Sequence, residues 1–264
     1  GMAMKNILKI MLMMITIFTI AGSAVYAAEI PVSDQDQLIT SNDWTEISNL
    51  QDEMKKEEPD ATIDYDKALK VYVDCNLIKL QTADTKKLTS ALESANYVWV
   101  IPFKMEKTYG MFTVAKGLPL REEAKSVLTK AEQEEVKNHA GKWMITETAE
   151  HTVEPYYDIL LEKREALSDC TRVVLVGSQP GMRQPVALGM DDETARIWIS
   201  LGYQYPVMKK IPETQNVESG VYSFDSVAEI SDTYIEDSEV STGVGVQSRS
   251  SMKYVAGIGI VLIG

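Results

Sequence analysis

The sequence predicts an α+β fold, a mixed and mainly antiparallel sheet with helices packed on it. Three observations lead there. Segments with apolar residues at helical spacing alternate with short apolar runs of strand length. Two of those runs, Tyr97–Ile101 and Met111–Ala115, are joined by the polar stretch Lys104-Met105-Glu106-Lys107, which suits a hairpin. No segment recurs at a fixed period of the kind that builds solenoids or propellers, so hairpins interrupted by helices are best buried as one layered domain.

The N-terminus reads as a leader. Gly1 stands ahead of a natural start at Met2 or Met4. Lys5 and Lys9 supply a positive region, Ile10–Ile20 is uncharged and apolar, and Val25-Tyr26-Ala27 offers compact residues before a cut after Ala27. Residues 1–27 are therefore expected to be a secretory signal peptide. An uncleaved anchor is the alternative, since Lys9–Ala28 approaches the length that spans a bilayer. Residues 28–42 are polar without periodicity and read as a flexible lead into a domain at 43–210.

Within that domain, Asp43 and Glu46 form a capping-box pattern before Trp44, Ile47, Leu50 and Met54, an amphipathic stripe stopped near Pro59. Lys67–Cys75 reads as a strand with Leu69, Val71, Val73 and Cys75 on the buried side, and Ala68, Lys70, Tyr72 and Asp74 on the other. Asp84 caps a helix carrying Leu88, Ala91, Leu92 and Ala95, with Asn96 as its left-handed stop. Tyr97–Ile101 is apolar on both faces, as an interior strand is, and Pro102 is expected to end its pairing or mark a bulge.

Arg121–Val127 is a short helix, and Thr129 with Glu132 opens another that runs to Ala140 and halts at Gly141. Trp143, Ile145 and Glu147 alternate with Met144, Thr146 and Thr148 in a strand reaching His151. Pro155 suits the first position of a helix with Tyr156, Ile159, Leu160 and Leu167 along its apolar stripe. Strands at 172–176, 185–190 and 195–201 close the domain, the last two joined at Asp191–Thr194.

Beyond Ile211 the composition changes. Up to Gln247 there is no Lys or Arg, while Glu213, Glu218, Asp225, Glu229, Asp232, Glu236, Asp237 and Glu239 accumulate among Ser, Thr and Gly. One-signed charge and few apolar residues make 211–253 a flexible acidic stalk. Tyr222, Phe224, Tyr234 and Ile235 argue instead for a docked segment. The chain ends in an uncharged run, 254–264, whose eleven residues at about 1.5 Å each reach about half of a ~30 Å hydrocarbon core. It reads as the start of a transmembrane anchor continuing past Gly264, or as a final apolar strand. A leader, an ectodomain, a stalk and an anchor resemble the layout of bacterial envelope proteins.

The formal charge of −13 and the lack of any Lys/Arg run argue against nucleic acid or an anionic lipid surface. His139 and His151 are the whole imidazole supply. His139 is expected to complement a helix C-terminus, and His151 to be solvated at a strand end. Neither lies in a zinc pattern, and no cofactor is called for. The acidic clusters Asp60, Asp64, Asp66 and Asp191, Asp192, Glu193 lack the calcium-loop order. Gly177-Ser178-Gln179-Pro180-Gly181 misses the nucleophile-elbow spacing.

Two sets of binding candidates remain. The Gly177–Pro185 turn would hold Gln179, Met182 and Arg183 outward, and Trp143 with Trp198 would form a stacking platform for a sugar. Cys75 and Cys170, in an exported chain, are candidates for one disulfide or for two separate thiols. The leading expectation is a non-enzymatic, membrane-tethered interaction domain whose partner is a protein or a cell-wall component. The rivals are an envelope hydrolase using carboxylates or a serine, and the sensor half of a receptor. A deep polar pocket lined by converging carboxylates would favour the hydrolase.

Overall fold

The computed structural model describes residues 29–231, apart from 152, 178, 180, 181, 183 and 203–207. The expected leader, the distal stalk and the apolar C-terminal run lie outside the described residues. No described helix is long and apolar enough to cross a membrane.

The domain is α+β, as its sequence predicts. Among the described residues nine strands form one sheet: β1 Thr62–Ile63, β2 Leu69–Tyr72, β3 Tyr97–Lys104, β4 Tyr109–Lys116, β5 Trp143–His151, β6 Arg172–Val176, β7 Val186–Met190, β8 Ala195–Ser200 and β9 Val221–Ser223. They lie in the order β5-β4-β3-β2-β6-β7-β8-β9, with β1 beside β3. Only β2 and β6 run parallel among the paired strands.

Helices cover both faces. On one face Tyr156, Ile159 and Leu160, from the helix Tyr156–Glu162, pack over Val71, Val98, Val100 and Leu175. The other face carries two clusters. Helices α1 (Trp44–Ile47) and α2 (Gln51–Glu57) bring Ile47 and Met54 onto Trp99, Ile101 and Phe112. Helices α3 (Thr85–Glu93) and, at the C-terminal end, α6 (Phe224–Ser231) bring Leu88, Leu92 and Val227 onto Val174, Leu188 and Trp198. Between them in sequence come α4 (Lys130–His139) and α5 (Tyr156–Glu162).

Local chemistry fixes several boundaries. Asp84 accepts from the Lys87 amide at 2.9 Å and starts α3. Thr129 and Glu132 close a reciprocal capping box on α4, and Gly141 ends that stretch at φ +75°. Asp43 does not cap; its carboxylate accepts instead from Tyr97 Oη at 2.8 Å and Trp99 Nε1 at 3.0 Å. Asn96 is not left-handed either, since the non-glycine residues with positive φ are Asp74 and Gln81. Pro102 stays inside β3 because its carbonyl accepts from Asp64, so its missing N–H faces the break between β1 and β2. Pro155 sits one position outside α5, as its N-cap.

The β2 alternation predicts Lys70 and Tyr72 on an open face; both are buried. The cover is the chain's own N-terminal segment, which the sequence presents as a flexible lead and the structure docks. β2 and β6 pair directly only at Val71–Leu175 and Tyr72–Val176. Where they splay, residues 30–38 fill the gap: the Leu38 amide donates at 3.1 Å to the carbonyl of Ala68, just before β2, and the Val173 amide of β6 donates to Pro31 O at 2.8 Å. Leu38 is fully buried and Asp36 is 2 % exposed. The Asp36 carboxylate accepts from Tyr72 Oη at 2.7 Å, Ser33 Oγ at 2.9 Å and Arg172 at 3.1 Å, with the Lys70 ammonium 3.8 Å away. That ammonium also lies 4.2 Å from the Tyr97 ring centroid and 5.3 Å from that of Trp99.

The beginning of the expected stalk is likewise docked. β9 pairs with β8, and Val221, Tyr222, Phe224 and Val227 are buried while Asp225 and Glu229 stay exposed. Tyr222, Phe224 and Val227 join the core under α3 while Val221 enters that of the opposite face, and these four buried side chains offset the ordering entropy that the acidic composition alone would not.

Cys75 and Cys170 are free thiols. β2 and β6 are neighbours, as a bridge would need, but they run parallel. Cys75 follows one and Cys170 precedes the other, so the thiols lie at opposite ends of the pair and on opposite faces of the sheet.

Candidate functional site

The expected binding residues do not come together. Gln179 is 3 % exposed and turned inward: its Oε1 accepts from the Leu77 amide at 3.1 Å, and its Nε2 donates to Cys75 O and Gly177 O at 2.6 and 2.9 Å. The side chain satisfies backbone groups freed where β2 ends, a structural task. Met182 is buried in the core beside Leu77 and Val176, and Arg183 lies outside the described residues. Trp143 belongs to the cluster over β3 and β4, near one end of the sheet; Trp198 is fully buried near the other and stacks on Phe224 with centroids 5.5 Å apart. No shared platform exists between them. The Asp191 carboxylate holds its own turn, accepting from the Glu193 and Thr194 amides at 2.8 and 2.7 Å and from Arg196 at 2.6 Å.

A wide concavity lies elsewhere. A cleft of about 750 Å³ opens between α5 and the segment running from the end of β8 into β9. One wall is Val153, Glu154, Ile159, Glu162 and Lys163; the other is Glu213, Asn216, Glu218, Ser219 and Tyr222. The second wall is a tight turn in which the Val217 amide donates to Val221 O at 3.0 Å and the Val221 amide to Glu218 O at 3.0 Å. Gly220, at φ +76°, permits that reversal, and its carbonyl accepts from the Ser200 amide of β8 at 2.9 Å. Lys163 ties the walls together, donating to Ser219 O at 2.8 Å and lying 4.0 Å from Glu218.

Among the described residues four carboxylates line this cleft against one ammonium. Repulsion from Glu162, with a smaller contribution from burial, pushes the Glu154 carboxyl above the usual carboxylate value. Both side chains are exposed. Asp158, one turn along α5, is held apart by Lys67 at 3.0 Å. Burial disfavours that ammonium, yet Asp158 and Asp64 outweigh the effect and hold its pKa above the lysine value.

Beneath the first turn of α5 lies a second cavity, of about 10 Å³, that shares Glu154 with the cleft. His151 lines it, and neither ring nitrogen has a hydrogen-bond partner although both are buried. The solvated His151 expected from its place at a strand end is thus corrected: β5 carries a bulge at Thr146, which moves Glu147, Ala149 and His151 to the face that α5 covers. Burial pushes the imidazole below the usual histidine value; the Val153 backbone opposes this without reaching hydrogen-bonding geometry. His139, by contrast, donates through Nδ1 to Glu135 O at 2.8 Å in the last turns of α4.

One part of this site has a signal in the sequence. Glu154, Asp158 and Glu162 recur at i, i+4 and i+8, which places three carboxylates along one side of the α5 region. The opposite wall does not, because Glu213 and Glu218 read as stalk. Among the described residues no group of three or more His, Cys, Asp or Glu side chains is placed to hold a metal ion. No family model matches the chain, and no curated protein or solved structure is similar to it.

Proposed function

We propose that this protein is an exported, membrane-tethered interaction domain of a bacterial envelope, and that the cleft beside α5 is its recognition surface. The observation that carries the reading is the character of that cleft: wide, open, and walled by solvated carboxylates on a rigid helix and a docked turn. Charges that keep their hydration suit the steering and reading of a cationic partner. They suit bond-breaking poorly, since catalytic electrostatics gain their strength where water is excluded. A protein segment or cell-wall component bearing amines fits this chemistry. Export is supported by the composition of residues 1–27, and tethering by the uncharged run at 254–264.

Binding of a hexalysine peptide to the whole protein, measured by calorimetry over a range of salt concentrations, tests the proposal. Measurable affinity that weakens with salt and falls in a Glu154→Gln, Glu218→Gln double variant is expected. Absence of binding at low salt, or binding indifferent to both substitutions, would overturn it.

One observation favours the hydrolase as a second reading. Glu154, its carboxyl raised by Glu162, is the kind of group that donates a proton beside an ionised partner. Turnover of a glycan or peptide substrate, abolished by Glu154→Gln with the fold intact, would establish that reading instead.

A further inference from the structure

We propose that His151 is an acid-sensitive latch for the first turn of α5: protonating its buried imidazole draws Glu154 off the cleft wall and away from Glu162. Three features of the geometry lead there. Both ring nitrogens of His151 are buried without partners. His151 and Glu154 line the same small cavity under α5. Glu154 also lines the open cleft, so it is the one charged group common to the two spaces.

The neutral ring tolerates this environment because it carries no net charge. The imidazolium would not, since it presents two N–H donors and a positive charge to a cavity with little to receive them. β2, β3 and β4 contribute only Leu69, Val100, Pro102, Gly110 and Met111 to the lining. From the turn before β2, the Lys67 ammonium repels the imidazolium; Asp64 and Asp158, which could attract it, are engaged with Lys67 at 3.6 and 3.0 Å. From α5 comes the Tyr156 phenol, whose hydroxyl faces Met111 Sδ at 4.0 Å, and across the ladder from His151 stands Tyr109. Glu154 is the carboxylate among these lining groups, and leaving Glu162 relieves a like-charge repulsion. The two titrations approach each other from either side, His151 from above and Glu154 from below. Protonation puts a positive charge on the ring, and Glu154 is the lining carboxylate that can receive its N–H. The device does not depend on what the cleft binds.

NMR titration of the whole protein, with His139→Gln resolving the two imidazoles, reads the latch directly. In the wild type, His151 should titrate below 6.5, and amide exchange across Tyr156–Ile159, corrected for intrinsic pH dependence, should quicken over the same interval. Glu154→Gln, at an exposed position, should lower the His151 midpoint further by removing the group that receives the imidazolium. His151→Gln should remove the acid-dependent exchange. A wild-type midpoint at or above 6.5, or one unmoved by Glu154→Gln, would overturn the proposal even if His151→Gln fails to fold. No ligand enters these measurements, so their failure leaves the reading of the cleft intact.

Discussion

Replacing Asp36 with alanine should destabilise the domain far more than loss of a polar residue from a supposed flexible lead would suggest. The Asp36 carboxylate accepts three hydrogen bonds, from Tyr72, Ser33 and Arg172, and stands 3.8 Å from Lys70. Its side chain is 3 % exposed, that of Lys70 10 %, and that of Arg172 26 %. After truncation Arg172 can recover water, whereas Lys70 is left charged over the rings of Tyr97 and Trp99 with its nearest counter-charge gone. Removing one partner of a buried pair typically costs about 3–5 kcal/mol, and partial rehydration of Arg172 places the expectation at about 3 kcal/mol. Chemical denaturation by urea, followed by tryptophan fluorescence, measures it; Trp99 sits beside the cluster. A paired change, Asp36→Leu with Lys70→Met, removes both charges and should recover much of the loss. A loss under about 1 kcal/mol for Asp36→Ala would refute the docked N-terminal segment as a structural element, because surface substitutions fall within about 0.5 kcal/mol.

Other expectations follow from the same geometry. Under denaturing, non-reducing conditions both cysteines should alkylate; in the native protein Cys75, half-buried, should react before Cys170, whose thiol burial pushes up to about 11. A protein lacking free thiols by mass spectrometry would contradict the parallel β2–β6 arrangement. Thr129→Ala should cost about 1 kcal/mol by opening the capping box on α4, and an unchanged denaturation midpoint would show that α4 does not depend on it. Gly189→Ala should cost about 1–3 kcal/mol, since a Cβ there would lie 2.8 Å from both Cys170 Sγ and Ile197 Cγ1; a neutral result would mean that β7 and its cover are looser than described.

Legibility of the fold followed the range of the forces involved. The β3–β4 hairpin, the caps at Asp84 and Thr129 and the strands β6, β7 and β8 rest on neighbours close along the chain, and their patterns show in the sequence. The docked N-terminal segment does not, because its hold depends on Ile30, Leu38 and Asp36 meeting Ala68 and Val173 far along the chain. The same blindness hid the burial of Lys70. At β5 a single bulge reversed the alternation after Ile145, so Glu147 parts from the face of Trp143. Gln179 was expected to point outward because turn chemistry gives no hint that Leu77 N and Cys75 O, about a hundred residues earlier, require its amide. The cleft combines both cases: the carboxylates near α5 are spaced regularly, while the opposing wall is acidic chain whose few apolar residues dock it.

The central claim is that the cleft beside α5 is where a cationic partner is read. Hydrogen–deuterium exchange of the whole protein, with and without saturating hexalysine, tests it most directly because it locates the contact without presupposing it. Slowed exchange is expected to be confined to 154–163 and 213–222, the two walls that Lys163 ties together. Protection elsewhere, with those two segments unchanged, would contradict it.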